Sequence, residues 1–537
     1  MTNRLPCLNS PSLVSSTPET MLTRSLLRLW FFVVVFRDGG SQNLEESEVV
    51  EQLYSTSVVA MEDLLEFNAD LLFQLDSYID ILEARINLIR RIANYMMKHY
   101  SRDSMQGNLL SHFRLLRHMQ TDWAHVLELM EQPLGKSQLL FLKESRPHYP
   151  SASDLEEGSF GIQRIQQIYR LQLKDMVSGV LDGVQHGTSF STLESFTVAR
   201  ALYRRYRYHE ALPWLEQTLS LYEQTSEEAG ESYQLLGFDV SQTHKLYIEG
   251  LMKLNRYEDA LEAIDRDPKP YLRRLRDRVE MLMTSSNDLP LEKPNPQLTT
   301  LQLCCRGGCP YRGMHRLTCS YNTTVTPFLR LAPFKTEILS HSPYMVLYHD
   351  VITPLESETL RNLSRPHMKR RAMTYNKQTL RPTIDPKRTS NSVWFKSNSN
   401  AVIERLERRA GHMTNFEMEY SEVYQMLNYG IGGHYYPHVD HFESPEALKQ
   451  RKIGDRIATI LFYLSDVPQG GATLFPFLNI SVQPRQGDAL LWYNLDDRGR
   501  GEMDTVHTSC PIIRGSKWAL VKWIDELSQP FRRPCNR

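Results

Sequence analysis

The chain has little of three things. It has no charge excess: 62 Lys and Arg stand against 63 Asp and Glu, so no bulk field draws it to nucleic acid or an anionic membrane. Cysteine is scarce, seven in 537 residues, which excludes a scaffold built on disulfides. Long apolar runs are scarcer still. The one long run, Leu26 to Phe36, covers 11 residues and is interrupted by Arg28, whereas crossing a bilayer takes about 20. Neither a membrane span nor a nucleic-acid partner is expected.

What is present points to a soluble multidomain protein. Apolar residues make up 41% and charged residues 23%, the balance of a chain that buries a core. The apolar run follows Arg24 and precedes Gly39, Gly40 and Ser41, the layout of a secretory signal. Residues 1–41 are therefore read as signal peptide plus an atypical leader, with Met21 a more ordinary start. Asn322-Thr-Thr, Asn362-Leu-Ser and Asn479-Ile-Ser are glycosylation sequons that suit the same compartment.

Residues 44–145 read as helical, with no proline or glycine from 44 to 100. Leu72, Leu75, Ile79, Leu82, Ile86 and Ile89 recur at heptad steps, a seam that suits self-association. Residues 155–285 are helical again. Tyr208-His-Glu-Ala-Leu212 is echoed 49 residues on by Tyr257-Glu-Asp-Ala-Leu261, a pattern similar to the second helix of a tetratricopeptide repeat. A loop over Glu223–Gln234 would account for most of the excess over the usual period of about 34. Helix pairs of this kind form concave peptide-binding surfaces, which Tyr203, Tyr206 and Tyr208 could line; core packing is the competing use.

Residues 286–326 form a proline-bearing linker with Cys304, Cys305, Cys309 and Cys319, better suited to disulfides than to zinc because paired Cys-x2-Cys units are missing. From 327 to 537 short β-like runs predominate, at Tyr344–Tyr348, Ser421–Leu427, Ile457–Tyr463, Ala489–Tyr493 and Trp518–Trp523. Helices are expected over Leu355–Leu363 and Asn400–Arg409. The fold class is thus multidomain α plus β, with helical N-terminal regions and a C-terminal sandwich or jelly roll.

In the β-rich part, His438 and Asp440 are two apart and share one face of an extended strand. His507 lies 67 residues beyond Asp440, and Lys517 ten residues beyond His507. Two imidazoles and a carboxylate make the facial triad that suits Fe(II), and a nearby lysine suits a bidentate acid's far carboxylate. No P-loop, dinucleotide fingerprint or Gly-x-Ser-x-Gly elbow is visible.

The words Tyr429-Gly-x-Gly-Gly-x-Tyr435-x-Pro-His438-x-Asp440, Arg456-Ile-Ala-Thr459, Gly470-Gly-Ala-Thr-x-Phe-Pro476, Trp492-Tyr-Asn-Leu495, Lys517-Trp518 and Phe531-Arg-Arg-Pro-Cys535 closely resemble the catalytic domain of collagen prolyl 4-hydroxylase alpha subunits. The order of regions resembles that family over essentially the whole mature chain. The resemblance implies a double-stranded β-helix over 327–537. It also implies hydroxylation of peptidyl proline to 4-hydroxyproline with O2 and 2-oxoglutarate, releasing succinate and CO2, with L-ascorbate restoring the iron. His438, Asp440 and His507 become the iron ligands, Lys517 the 2-oxoglutarate anchor with Tyr429 and Thr459 beside it, and Tyr435 a neighbour of the substrate proline.

Further implications are disulfides Cys305–Cys319 and Cys510–Cys535, with Cys304 and Cys309 left over, and assembly with protein disulfide isomerase as an α2β2 tetramer in the endoplasmic reticulum lumen. Three departures stand out. Asp525 occupies a position where the family usually has histidine, the second tyrosine pair of the peptide-binding domain falls near Leu246 and Glu249, and the linker is richer in cysteine. They motivate a second reading, a weakly active or inactive peptide-binding or assembly subunit.

Overall fold

The computed structural model describes residues 54–527 and Gln529, except 102–107, 286–298, 310–317, 369–372, 376–381, 385–387, 443–447 and 450–453. The leader, signal and Cys535 lie outside the described residues. Leu64–Tyr149 belong to one compact unit, and Gln52–Asp63 with the chain from Pro150 onward to the other. The tetratricopeptide-like and β-rich regions therefore share a unit.

Helix α1, Val58–His99, runs 42 residues, as expected of a segment without helix breakers. In the first unit it is joined by helices over Leu109–Arg117, Trp123–Glu131 and Lys136–Glu144. Of the heptad positions, Leu72, Leu75, Ile79 and Ile86 remain 43–56% exposed. No helix among the described residues is long and apolar enough to cross a membrane.

The second unit opens its helical part with α2, Ala152–Tyr169, whose start is set by a capping box between Ser151 and Asp154. It continues with α3 (Thr192–Arg204), α4 (Tyr208–Glu223), α5 (Glu227–Leu235), α6 (Val240–Lys253), α7 (Tyr257–Arg266) and α8 (Arg273–Ser285). The repeated Tyr-x-x-Ala-Leu words do start α4 and α7, and Ala211 and Ala260 are fully buried where helices must approach closely. The stretch expected as an inserted loop holds a helix, α5. Ser226 caps it and Glu227 and Glu228 fill its first turn, which favours the N-terminal end of a helix dipole.

The β-rich part follows a short helix α9, Thr300–Cys305. Its strands are β1 (Cys319–Asn322), β2 (Phe334–His341), β3 (Tyr344–His349), β4 (Ser390–Phe395), β5 (Tyr424–Tyr429) and β6 (Tyr435–His438). There follow β7 (Arg456–Tyr463), β8 (Thr473–Phe475), β9 (Ile480–Val482), β10 (Ala489–Tyr493), β11 (His507–Ser509) and β12 (Trp518–Asp525). An eight-stranded antiparallel sheet in the order β1-β2-β3-β10-β7-β12-β5-β4 faces a four-stranded sheet in the order β6-β11-β8-β9. This is the jelly-roll arrangement.

Strand periodicity divides the core in two. Along β12, Trp518, Leu520 and Ile524 pack outward beneath α10 (Ala401–Thr414), while Ala519, Val521 and Trp523 point between the sheets. Every strand and helix expected in this region is found, β5 starting three residues later than the apolar run.

The disulfides depart from the pairing the resemblance implied. Cys305 is bonded to Cys510, with Cα atoms 5.7 Å apart, and Cys304 to Cys309. The reason is packing. Helix α9 buries Cys304 and Cys305 in an apolar cluster with Ile165, Tyr169, Leu474 and Cys510. Cys319 instead starts the exposed edge strand β1 and is a free thiol.

Candidate active site

Each catalytic candidate stands at a strand end. His438 closes β6, Asp440 lies two residues on, His507 opens β11, and Lys517 directly precedes β12. Because β6 and β11 pair with His438 opposite His507, the two rings come within 4.1 Å, centroid to centroid. Asp440 completes a group of three whose ligand atoms all lie within 4.8 Å of one another.

The hydrogen bonds fix the tautomers. His438 Nδ1 faces the carbonyl of Tyr436 at 2.8 Å, an oxygen that can only accept, so Nδ1 carries the proton and donates; His507 Nδ1 donates likewise to Thr505 O at 3.1 Å. Both Nε2 lone pairs are thereby left for a metal, 3.7 Å and 3.9 Å from the Asp440 carboxylate oxygens. Burial, then the neighbouring His507, pushes His438 down to about 3, so its ring is neutral. Burial alone would raise Asp440, but His507, His438, Arg456 and the Thr459 hydroxyl outweigh it and hold the carboxyl at about 2. Two imidazoles and an ionised carboxylate are the donor set of a non-haem Fe(II) site, and the residues fit that ion.

Thr459 supports the triad. Its hydroxyl donates to Asp440 Oδ2 at 2.7 Å and accepts from Asn494 Nδ2 at 2.9 Å, so its one proton goes to the metal ligand. It also lines the pocket that holds Lys517 and Tyr429. Arg456, in the same sequence word, makes a two-point ion pair with Glu422, donates to the Asp440 carbonyl at 3.3 Å and lies 4.1 Å over the Trp523 ring. Asp525 is buried at the end of the same strand and exerts an attractive field on Arg456 and Lys522.

Lys517 is 2% exposed. Its Nζ donates to Gly471 O at 2.6 Å, Ser509 Oγ at 3.1 Å and Thr473 Oγ1 at 3.4 Å, all uncharged oxygens. Burial pushes it down to about 7. A cation held this deep on neutral partners is completed by an anionic ligand. Tyr429 is buried beside it, its ring 5.6 Å from Nζ.

These groups share one pocket, lined by His438, Asp440, His507, Lys517, Tyr429 and Tyr435 among others. Tyr435 stacks on His438 with centroids 3.6 Å apart, and the Arg388 guanidinium lies 4.8 Å from the centroid of the Tyr435 ring. Sequence reasoning missed Arg388, Asn494 and the role of Thr459; only the quoted words around Thr459 and Asn494 marked two of them. Tyr203, Tyr206 and Tyr208 are not in this pocket. They cluster at the α3–α4 turn, ring centroids 5.0 and 6.3 Å apart, with Tyr203 donating to Glu249 from α6 at 3.4 Å. Of the sequon asparagines, Asn362 is exposed on the helix Pro354–Ser364, while Asn322 and Asn479 are half-buried.

The fold and site define an Fe(II)- and 2-oxoglutarate-dependent oxygenase, and residues 424–525 match the 2OG-Fe(II) oxygenase superfamily. Residues 57–183 match the N-terminal region of the prolyl 4-hydroxylase alpha subunit. The chain is 32% identical over 512 residues to prolyl 4-hydroxylase subunit alpha-1 of Caenorhabditis elegans, covering 89% of this chain and 90% of the relative. It is 33% identical over 494 residues to subunit alpha-3 of Bos taurus, covering 84% and 88%, and 31% identical over 492 residues to the Homo sapiens alpha-3 subunit with the same coverage. The chain belongs to the prolyl 4-hydroxylase alpha-subunit family, and it is a dioxygenase that hydroxylates proline.

Proposed function

We propose that the chain is the catalytic alpha subunit of a procollagen-proline 4-dioxygenase, converting peptidyl proline in collagen-like, proline-rich chains to 4-hydroxyproline and releasing succinate and CO2. One observation carries the reading: three metal-ready donors and a buried, anion-lacking lysine open into a single pocket. Iron held by His438, Asp440 and His507 supplies the activation of dioxygen with 2-oxoglutarate.

The protein's own part is binding, orientation and exclusion of water. Lys517 takes the far carboxylate of 2-oxoglutarate, with Tyr429 beside it. Tyr435, stacked on His438, places the substrate proline. Trp492 and Phe475 pack on the flank of His507, 4.8 and 5.4 Å between centroids, and keep that side of the metal dry. Tyr203, Tyr206 and Tyr208 form the aromatic surface for a proline-rich peptide away from the reaction centre. L-ascorbate would be the reductant that keeps an iron held there ferrous.

The relatives are named as alpha subunits, which supports assembly with a beta subunit. We read that partner as protein disulfide isomerase in an α2β2 tetramer of the endoplasmic reticulum lumen, with the signal-like leader and the sequons Asn322, Asn362 and Asn479 in support. The second reading, an assembly subunit with weak turnover, rests on Asp525. Yet Asp525 is held beside Arg456, outside a complete triad, and Lys517 is in place.

The test is succinate and 4-hydroxyproline formation from a proline-rich peptide with Fe(II) and 2-oxoglutarate. Turnover that His438→Ala/Asp440→Ala leaves intact would refute the assignment.

A further inference from the structure

Strand β6 carries His438 at the edge of its sheet. Among the described residues it pairs with β11 on one side, with a register slip between Tyr435 and His438, while on the other Arg388 bridges Tyr435 and Thr389 N donates to His434 O at 3.2 Å. The loop that leads into it is also held from outside the sheet. Helix α2, from the N-terminal region, touches the chain flanking both histidines.

At the middle of α2, Gly161 meets the loop that enters β6. A Cβ on Gly161 would stand 2.4 Å from Ile431 O, and a Cβ on Gly432, at φ +55°, would stand 2.4 Å from Gly161 O. Only a glycine–glycine contact allows this approach. One turn on, Arg164 donates to Gly432 O at 2.9 Å. At the end of the helix, Tyr169 donates to Pro511 O at 2.6 Å. Gly432 lies six residues before His438, and Pro511 four residues after His507. Between the two contacts runs a rigid helical rod of about 12 Å, at ~1.5 Å per residue.

The same loop is held from its other side. Ile431 N donates to Ser55 O at 3.0 Å, and Asn428 Oδ1 accepts from Ser57 Oγ at 2.7 Å and Val58 N at 3.0 Å. Ser55 is itself tied to α2, its N–H donating to Asp154 at 3.2 Å.

We propose that α2 is a strut for the metal centre: Gly161, Arg164 and Tyr169 are positioning residues that set the spacing of His438 and His507 from outside the jelly roll. The proposal rests on the triad being the iron site. It makes the N-terminal helical region part of the catalytic machinery, beyond assembly and peptide capture. Displacing either contact lets β6 shift on β11 and spreads the ligand atoms.

The experiment is cobalt(II) titration of the assembled enzyme against a competing chelator, followed by the visible absorption of the bound metal, with hydrogen exchange of residues 428–438 measured on the metal-free protein. Tyr169→Phe removes one oxygen, and Gly161→Ala adds one methyl against backbone. Each is expected to weaken cobalt binding about tenfold, the size of outer-shell effects on metal sites, and to speed exchange in that segment. Wild-type cobalt affinity in a folded variant, even with a lowered melting temperature, overturns the proposal. Where Gly161→Ala fails to fold, Tyr169→Phe decides. Asp440→Ala is the control: cobalt binding unchanged in that variant overturns the iron-site reading itself, a different failure from wild-type binding in Tyr169→Phe.

Discussion

Thr459 donates its hydroxyl to Asp440 Oδ2 at 2.7 Å, which turns Oδ1 toward His438 Nε2, 3.7 Å away. A metal ligand's orientation is thus set from β7, a strand that contributes no ligand. Thr459→Val keeps the shape and loses the bond. The Fe(II) concentration for half-maximal activity is expected to rise about tenfold, with little change in the KM for 2-oxoglutarate. A rise confined to the 2-oxoglutarate KM would put Thr459 back on the co-substrate.

Lys517 makes 2-oxoglutarate binding report on pH. In the folded protein without an anion its pKa is about 7, against an ordinary value of 10.5, so the unfolded chain binds the extra proton between those values. Stability without co-substrate therefore rises with pH through that window, and below about 7 the buried cation carries its full cost. The thermal shift produced by 2-oxoglutarate should be largest near and below neutrality and shrink toward pH 10. Lys517→Met should remove both the shift and its pH dependence; a shift that persists in this variant excludes Lys517 as the anchor.

The Cys305–Cys510 bond closes a separation of 205 residues. Non-reducing peptide mapping should recover those two cysteines in one linked fragment, with Cys319 alkylated in the folded protein. Cys510→Ser should cost roughly 2–5 kcal/mol of stability. Recovery of a Cys305–Cys319 fragment would restore the pairing that the resemblance implied.

The exposed seam on α1 should bring two copies together. Ile79→Glu with Ile86→Glu places charges on residues 43% and 52% exposed in the single chain, so the fold should survive. Light scattering is expected to show half the mass of the wild-type assembly. An unchanged mass would assign the seam to another use.

The ligand set was legible from the company its members keep. His438 and Asp440 two apart mean little alone; His507, Lys517 and the quoted words around them, through the family they resemble, marked the site. The absence of helix breakers likewise located α1, and the Tyr-x-x-Ala-Leu echo located α4 and α7. Local chemistry could not say which distant partner a group meets. Cys305 lies 14 residues from Cys319, yet it bonds Cys510 because α9 packs beside β8 and the end of β11. That Thr459 bonds Asp440 and Asn494 was likewise not legible, because a hydroxyl suits many partners and only the fold brings these two around it.

By itself, then, the sequence determined the helical and β-rich regions, which follow from residue type and spacing along one strand or helix, and, through the words it shares with a family, the donors of the metal site and the lysine near them. Tertiary structure alone decided the disulfide pairing, the bonds that aim Asp440, and the seating of Gly161 against Gly432. Those depend on contacts between separate segments, which are selected by shape and burial and leave no period in the chain.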